Sequence, residues 1–137
     1  MPGAWKPSKM GVQKAIEHAE RILPGQPAPE GREDRRWQAI IKVGEYIEDC
    51  PSEVWRFARK WGAHSNADLR AAVATCLVEH LLEYHFETII PLVEEACDRG
   101  KRFADTTAIC SRFGQADTPK NRRRFQRLLA RIQKNSL

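Results

Sequence analysis

The sequence predicts an all-α protein, a short α-solenoid of stacked antiparallel helical hairpins with about seven helices. Three observations carry that prediction. Apolar residues recur every three to four positions almost throughout the 137 residues, which gathers them on one side of a 3.6-residue helix, and no run of β-branched residues bounded by turns suggests a strand. The glycines are scattered as stops and linker residues between these periodic stretches. A shift of 34 residues also places like on like: Leu69 on Phe103, Ala74 on Ala108 and Cys76 on Cys110 in one direction, Arg36 on Arg70, Val43 on Leu77 and Ile47 on Leu81 in the other. A period of that length, filled by two short helices and tight turns, is what stacked helical hairpins produce, because each unit buries its apolar face on its neighbour.

The first helix is expected over residues 8–23, with Val12, Ile16, Ala19 and Leu23 along one face. It stops at 24–29, PGQPAP, where three prolines exclude helix and make a stiff linker. Residues 1–29 therefore form an N-terminal helix and linker, and 30–137 the repeat domain. A second helix covers 33–48 through Trp37, Ile40, Ile41, Gly44 and Ile47. Pro51 opens a third, which runs through Val54, Phe57, Ala58 and Trp61 and which Gly62 closes as a left-handed cap. Ser65 with Asp68 makes a capping-box-like start for the fourth, 66–84, with Asn66 as the competing cap. That helix is apolar on most of its circumference and is expected at the centre, leaving only Ala72, Thr75, Glu79 and Glu83 outside. The fifth covers 86–99 with Gly100 as its stop, and the sixth 102–113, ending at Gly114.

The seventh helix carries the charge asymmetry of the chain. From Thr118 onward there are seven basic side chains and no acidic one, so the formal net charge of +5 arises as +7 in this segment and −2 elsewhere. Thr118 is placed to cap the helix and Pro119 stands where a first-turn proline is tolerated. At about 100° per residue, Phe125, Leu128, Leu129 and Ile132 share one face and the cations the other. Lys120, Arg123, Arg124, Arg127, Arg131 and Lys134 are accordingly the first candidate binding residues, and Arg outnumbers Lys, which suits bidentate phosphate or carboxylate contacts.

The segment PSEVWRFARKWGAHSNADLRAAVATCLVEHLL, residues 51–82, resembles one HEAT-like repeat: a first helix ending at Trp61-Gly62, a polar turn, and a second helix opening with Asn66, Leu69 and Arg70. The WG…N…LR…A pattern is also similar to the helical repeats of the DNA alkylation repair family of glycosylases. The resemblance covers roughly residues 35–134. It implies a curved scaffold, and in the alkylation repair branch the concave side holds DNA. The chain has only about three repeat units, fewer than that family stacks, and its catalytic acid and base-contacting aromatic residues find no matching positions, so architecture alone is carried over.

Chemistry is sparse by comparison. Cys50, Cys76, Cys97 and Cys110 stand 26, 21 and 13 residues apart with no CxxC and no zinc-type partner spacing, and read as apolar fillers in a reducing compartment. The first ten residues hold no apolar signal core, no stretch reaches the length of a membrane span, and a cytoplasmic location is expected. No glycine-rich phosphate loop, GxSxG or triad-like placement occurs, so no catalytic residue, metal or cofactor is assigned. Glu79 and Glu83 are i,i+4 neighbours, and with Glu45 they make a candidate acidic strip on the concave side, while His80 is expected to face the core. The sequence thus predicts a non-enzymatic binding module for a protein partner or an anionic macromolecule. The alternative is a nucleic-acid-binding protein related to the alkylation repair fold. A second copy of the chain, meeting the end of an uncapped stack, is a further candidate partner.

Overall fold

The computed structural model describes residues 7–25 and 34–135, with side chains from residue 9 onward. The described residues are helical, without strands, and form six helices: α1 (Pro7–Ile22), α2 (Arg35–Gly44), α3 (Pro51–Trp61), α4 (a continuous run over 67–99), α5 (Lys101–Ile109) and α6 (Pro119–Asn135), with a short 3₁₀ turn at Gly114–Asp117 before the last. The proline-rich linker expected over 24–29 lies, from residue 26 on, outside the described residues.

Six helices replace the expected seven because the fourth and fifth run on as one. α4 is α-helical over Ala67–Val73, passes through a π turn at Ala74–Val78, and resumes as α-helix over Glu79–Arg99. The break expected between Tyr84 and Phe86 is a kink inside this run, at His85, whose backbone stands at φ −139°, ψ 44°. Two bonds hold it: His85 Nε2 donates to the Ile47 carbonyl at 2.9 Å, and the Phe86 N–H is taken by Gln115 Oε1 at 2.9 Å. Gly114 sits against the same place with φ +51°, and a Cβ there would lie 2.8 Å from Glu83 Cγ, so position 114 needs glycine for both conformation and space.

Local chemistry explains most of the ends. Asp34 caps α2 by accepting from the Arg36 N–H at 2.9 Å, and Pro51 and Pro119 take first-turn positions. At α4 it is Asn66, not Ser65, that caps, accepting from the Leu69 N–H at 3.0 Å. Asp68 is thereby free to tie α4 to α2, accepting from Trp37 Nε1 at 3.0 Å and pairing with Arg36. Gly62 is not left-handed as expected: its φ is −69°, and what position 62 requires is room, since a Cβ would fall 2.8 Å from the Phe103 ring. α5 stops at Ile109 rather than 113 because Cys110 is extended and the next N–H, that of Ser111, is drawn to Glu79.

The helices form two layers. α2 and α5 flank the first half of α4, and α1, α3, the second half of α4 and α6 succeed one another beside them. Contacts between neighbours in a layer advance together along both helices. Arg36 meets Asp68 and Gly44 meets Cys76; Ala74 meets Cys110 and Glu79 meets Ser111; Glu94 meets Arg124 and Asp98 meets Arg131. These neighbours therefore run parallel at offsets of 30 to 36 residues, close to the 34-residue period expected from the sequence. The core between the layers holds Val12, Ala19 and Leu23 from α1, Ile40 and Val43 from α2, Phe86, Ile89 and Val93 from α4, and Phe103. Each large apolar side chain buried here contributes about 1.5–3 kcal/mol, the dominant stabilising term.

The π turn corrects the expected face of α4. Closing bonds five residues apart takes up one extra residue and sets the faces beyond it back by about one position, roughly 100°. Glu79 thus moves into the core, with only 6% of its surface exposed, and His80, expected there, rotates outward together with Tyr84. Ala72, before the turn, is fully buried rather than exposed, packed where the layers meet.

Candidate functional site

α6 is anchored by its apolar face and presents its cations on the other. Phe125, Leu128 and Ile132 are buried, and Leu129 packs against the core from its edge. Two of the candidate binding residues are spent on holding the helix in place. Arg124 reaches Glu94 with two bonds, at 3.2 and 2.9 Å, and these hydrogen bonds to Glu94 raise its already high pKa. Arg131 pairs with Asp98 at 3.2 Å. A third arginine, Arg122, is turned back onto Asp117 at 3.0 Å.

Lys120, Arg123, Arg127 and Lys134 remain. All four are exposed, and none makes an ion pair among the described residues. At 100° and 1.5 Å per residue they fall within about 60° of arc and extend over about 21 Å, a single stripe along the outer side of α6. The structure thus divides the six predicted residues into two staples and four free cations.

The acidic strip is not assembled. Glu45 is exposed on the turns after α2, but Glu79 is internal, its Oε2 accepting the Ser111 N–H at 2.8 Å, and Glu83 is half-buried and holds His80 Nδ1 at 2.7 Å. His80 also stacks on Phe113, ring centroids 6.0 Å apart. α3 also carries three neighbouring cations, Arg56, Arg59 and Lys60, which are partly used in packing: Arg59 lies over the Phe103 ring and Lys60 pairs with Glu20 at 2.9 Å, leaving Arg56 exposed.

No disulfide joins the four cysteines, all of which lie among the described residues. Burial pushes the Cys110 thiol well above its ordinary pKa, and burial likewise raises Cys76 and Cys97, so these groups stay protonated and unreactive at neutral pH. Among the described residues no group of three or more His, Cys, Asp or Glu side chains is arranged to hold a metal, and no helix is long and apolar enough to cross a membrane. No protein-family model matches the chain, and no curated protein or solved structure is significantly similar to it.

Sequence reasoning leaves out the acidic partners of Arg124 and Arg131. A signal for them exists: the two arginines are seven apart, Glu94 and Asp98 four apart, and the separations of 30 and 33 residues are near the 34-residue shift expected from the sequence. It also leaves out Tyr84 and Phe113 as exposed aromatic residues, because the π turn and the early end of α5 leave no mark in the residue pattern.

Proposed function

We propose that the chain is a non-catalytic helical-repeat module of HEAT-like type, acting in the cytoplasm, that binds an anionic macromolecule through the outer stripe of α6. The observation that carries this reading is the division of labour on α6: the arginines facing the body are neutralised by Glu94, Asp98 and Asp117, whereas Lys120, Arg123, Arg127 and Lys134 are aligned and unpaired. Four uncompensated cations in a line create a local positive field that attracts and orients a polyanion. The parallel succession of neighbours at 30 to 36 residues supports the stacked-hairpin architecture. The carboxylates nearest to a catalytic arrangement are occupied structurally, Glu79 on Ser111 and Glu83 on His80, which supports a binding role over an enzymatic one.

Nucleic acid is the second reading, and one feature favours it over an acidic protein. The stripe contains no apolar anchor, whereas stable protein interfaces are built around one, so a phosphate backbone fits it better. Fluorescence anisotropy with labelled duplex DNA and RNA and with a non-nucleic polyanion tests both. Binding of every probe supports the general reading, binding of nucleic acid alone supports the narrower one, and no binding of any probe at about 50 mM salt removes both.

A further inference from the structure

Away from α6, the two-layer arrangement leaves a groove between α2 and the first half of α4. It has a volume of about 470 Å³ and is lined by Ile41, Glu45, Glu48, Thr75, His80 and Tyr84 among others. Exposed apolar side chains gather here. Ile41 is 43% exposed and Tyr84 44%, and Phe113, also 43% exposed, extends the apolar floor by stacking on His80. Six large hydrophobic residues are exposed among those described, and these three are half of them, so the groove is a concentration and not a chance scatter. The rim is acidic: Glu45 and Glu48 stand three residues apart, both exposed and neither in an ion pair among the described residues, and no lysine or arginine lines the groove.

We propose that this groove receives a basic peptide segment of a protein partner. Charge complementarity selects that occupant. An Arg or Lys head group between Glu45 and Glu48 meets two uncompensated carboxylates, its aliphatic stem lies on Ile41, and the Tyr84 ring offers a face to the cation. An apolar neighbour in the same peptide reaches the His80–Phe113 stack. A polyanion is repelled by the same rim, so this surface is distinct from the α6 stripe in location and in sign, and the inference does not rest on the α6 reading.

The test uses the full chain and fluorescein-labelled octapeptides alternating Arg with Trp, Gln with Trp, and Glu with Trp. The Arg peptide is expected to bind, the Gln peptide about tenfold more weakly, and the Glu peptide not at all. Glu45→Gln with Glu48→Gln, and separately Tyr84→Ala, are expected to weaken the Arg peptide roughly tenfold, while neutralising the α6 stripe leaves it unchanged. Amide resonances of Gly44, Thr75 and Tyr84 should shift on titration, and circular dichroism confirms that the variants, all at exposed positions, remain folded. Equal affinity for the Arg and Gln peptides, indifference to the groove variants, or resonance shifts confined to other faces would overturn the proposal. So would a wild-type dimer that dissociates in the Glu45→Gln/Glu48→Gln variant, since the occupant would then be a second copy of this chain.

Discussion

Asp34 concentrates several roles in one side chain. It caps α2 through the Arg36 N–H and pairs with the Arg36 side chain, a guanidinium that is 5% exposed and lies between Asp34 and Asp68. Burial alone would raise the Asp34 pKa, but the hydrogen bonds from Arg36 and its charge outweigh that and hold it below the ordinary 3.8. A folded-state pKa below the unfolded one contributes stability that is present above pH 3.8 and lost as the pH falls through the lowered value. Asp34→Ala is therefore expected to cost about 1 kcal/mol in urea unfolding at neutral pH, with the difference from wild type shrinking as the pH drops below that range. A penalty that stays constant down to strong acid would show that the carboxylate charge is not what holds Arg36. Cys110 behaves in the opposite sense: pushed up by burial, it is expected to resist maleimide labelling near pH 8 until the protein is unfolded.

At the scale of elements, α4 decides where side chains point. The π turn at Ala74–Val78 places Glu79 inside, where it is the partner of an otherwise unsatisfied N–H, and Glu83 nearer the surface, on His80. Glu79→Ala is expected to lower stability by about 1–3 kcal/mol and Glu83→Ala by less than about 1 kcal/mol, read by thermal or urea denaturation. Equal effects would mean that the buried bond of Glu79 to the Ser111 N–H contributes no more than the more exposed contact of Glu83 with His80. The kink at His85 adds a second test. Gln115→Ala strips the acceptor from the Phe86 N–H and should cost about 1 kcal/mol, and Gly114→Ala, which forces a side chain into a left-handed position against Glu83, a further 1–2 kcal/mol or so. Such details mark the boundary of what the residues disclose. Helices are legible because apolar spacing of three and four residues fits a helix and little else, and starts such as Pro51 and Pro119 because proline tolerates so few helical sites. Nothing in Ala-Thr-Cys-Leu-Val announces a π turn, and Gln115 gives no local hint of a partner 29 residues away. Spacing alone therefore sets the register beyond the turn one position off and carries Glu79 and His80 to the wrong faces. On α6 the apolar face is legible from spacing, but the split between stapled and free arginines depends on Glu94 and Asp98, which reach it only through the fold.

For the molecule as a whole, the decisive feature is charge that the fold leaves uncompensated. Parallel neighbours at 30 to 36 residues align α6 beside the second half of α4, and that alignment lets Glu94 and Asp98 neutralise one edge of the helix while the outer stripe stays bare. Loss of Arg124 should therefore act on stability, by about 0.5 kcal/mol, and loss of the stripe on binding. The measurement that tests this most directly is the salt dependence of duplex binding for wild type and for Lys120→Gln/Arg123→Gln/Arg127→Gln/Lys134→Gln, with Arg124→Gln/Arg131→Gln as the control. Four phosphate contacts predict a roughly hundredfold loss of wild-type affinity between about 50 and 200 mM salt. The fourfold variant should lose both affinity and slope, and the control should keep most of both. A fourfold variant that binds with wild-type affinity and slope would contradict the account and leave α6 as a structural helix with a solvated basic face.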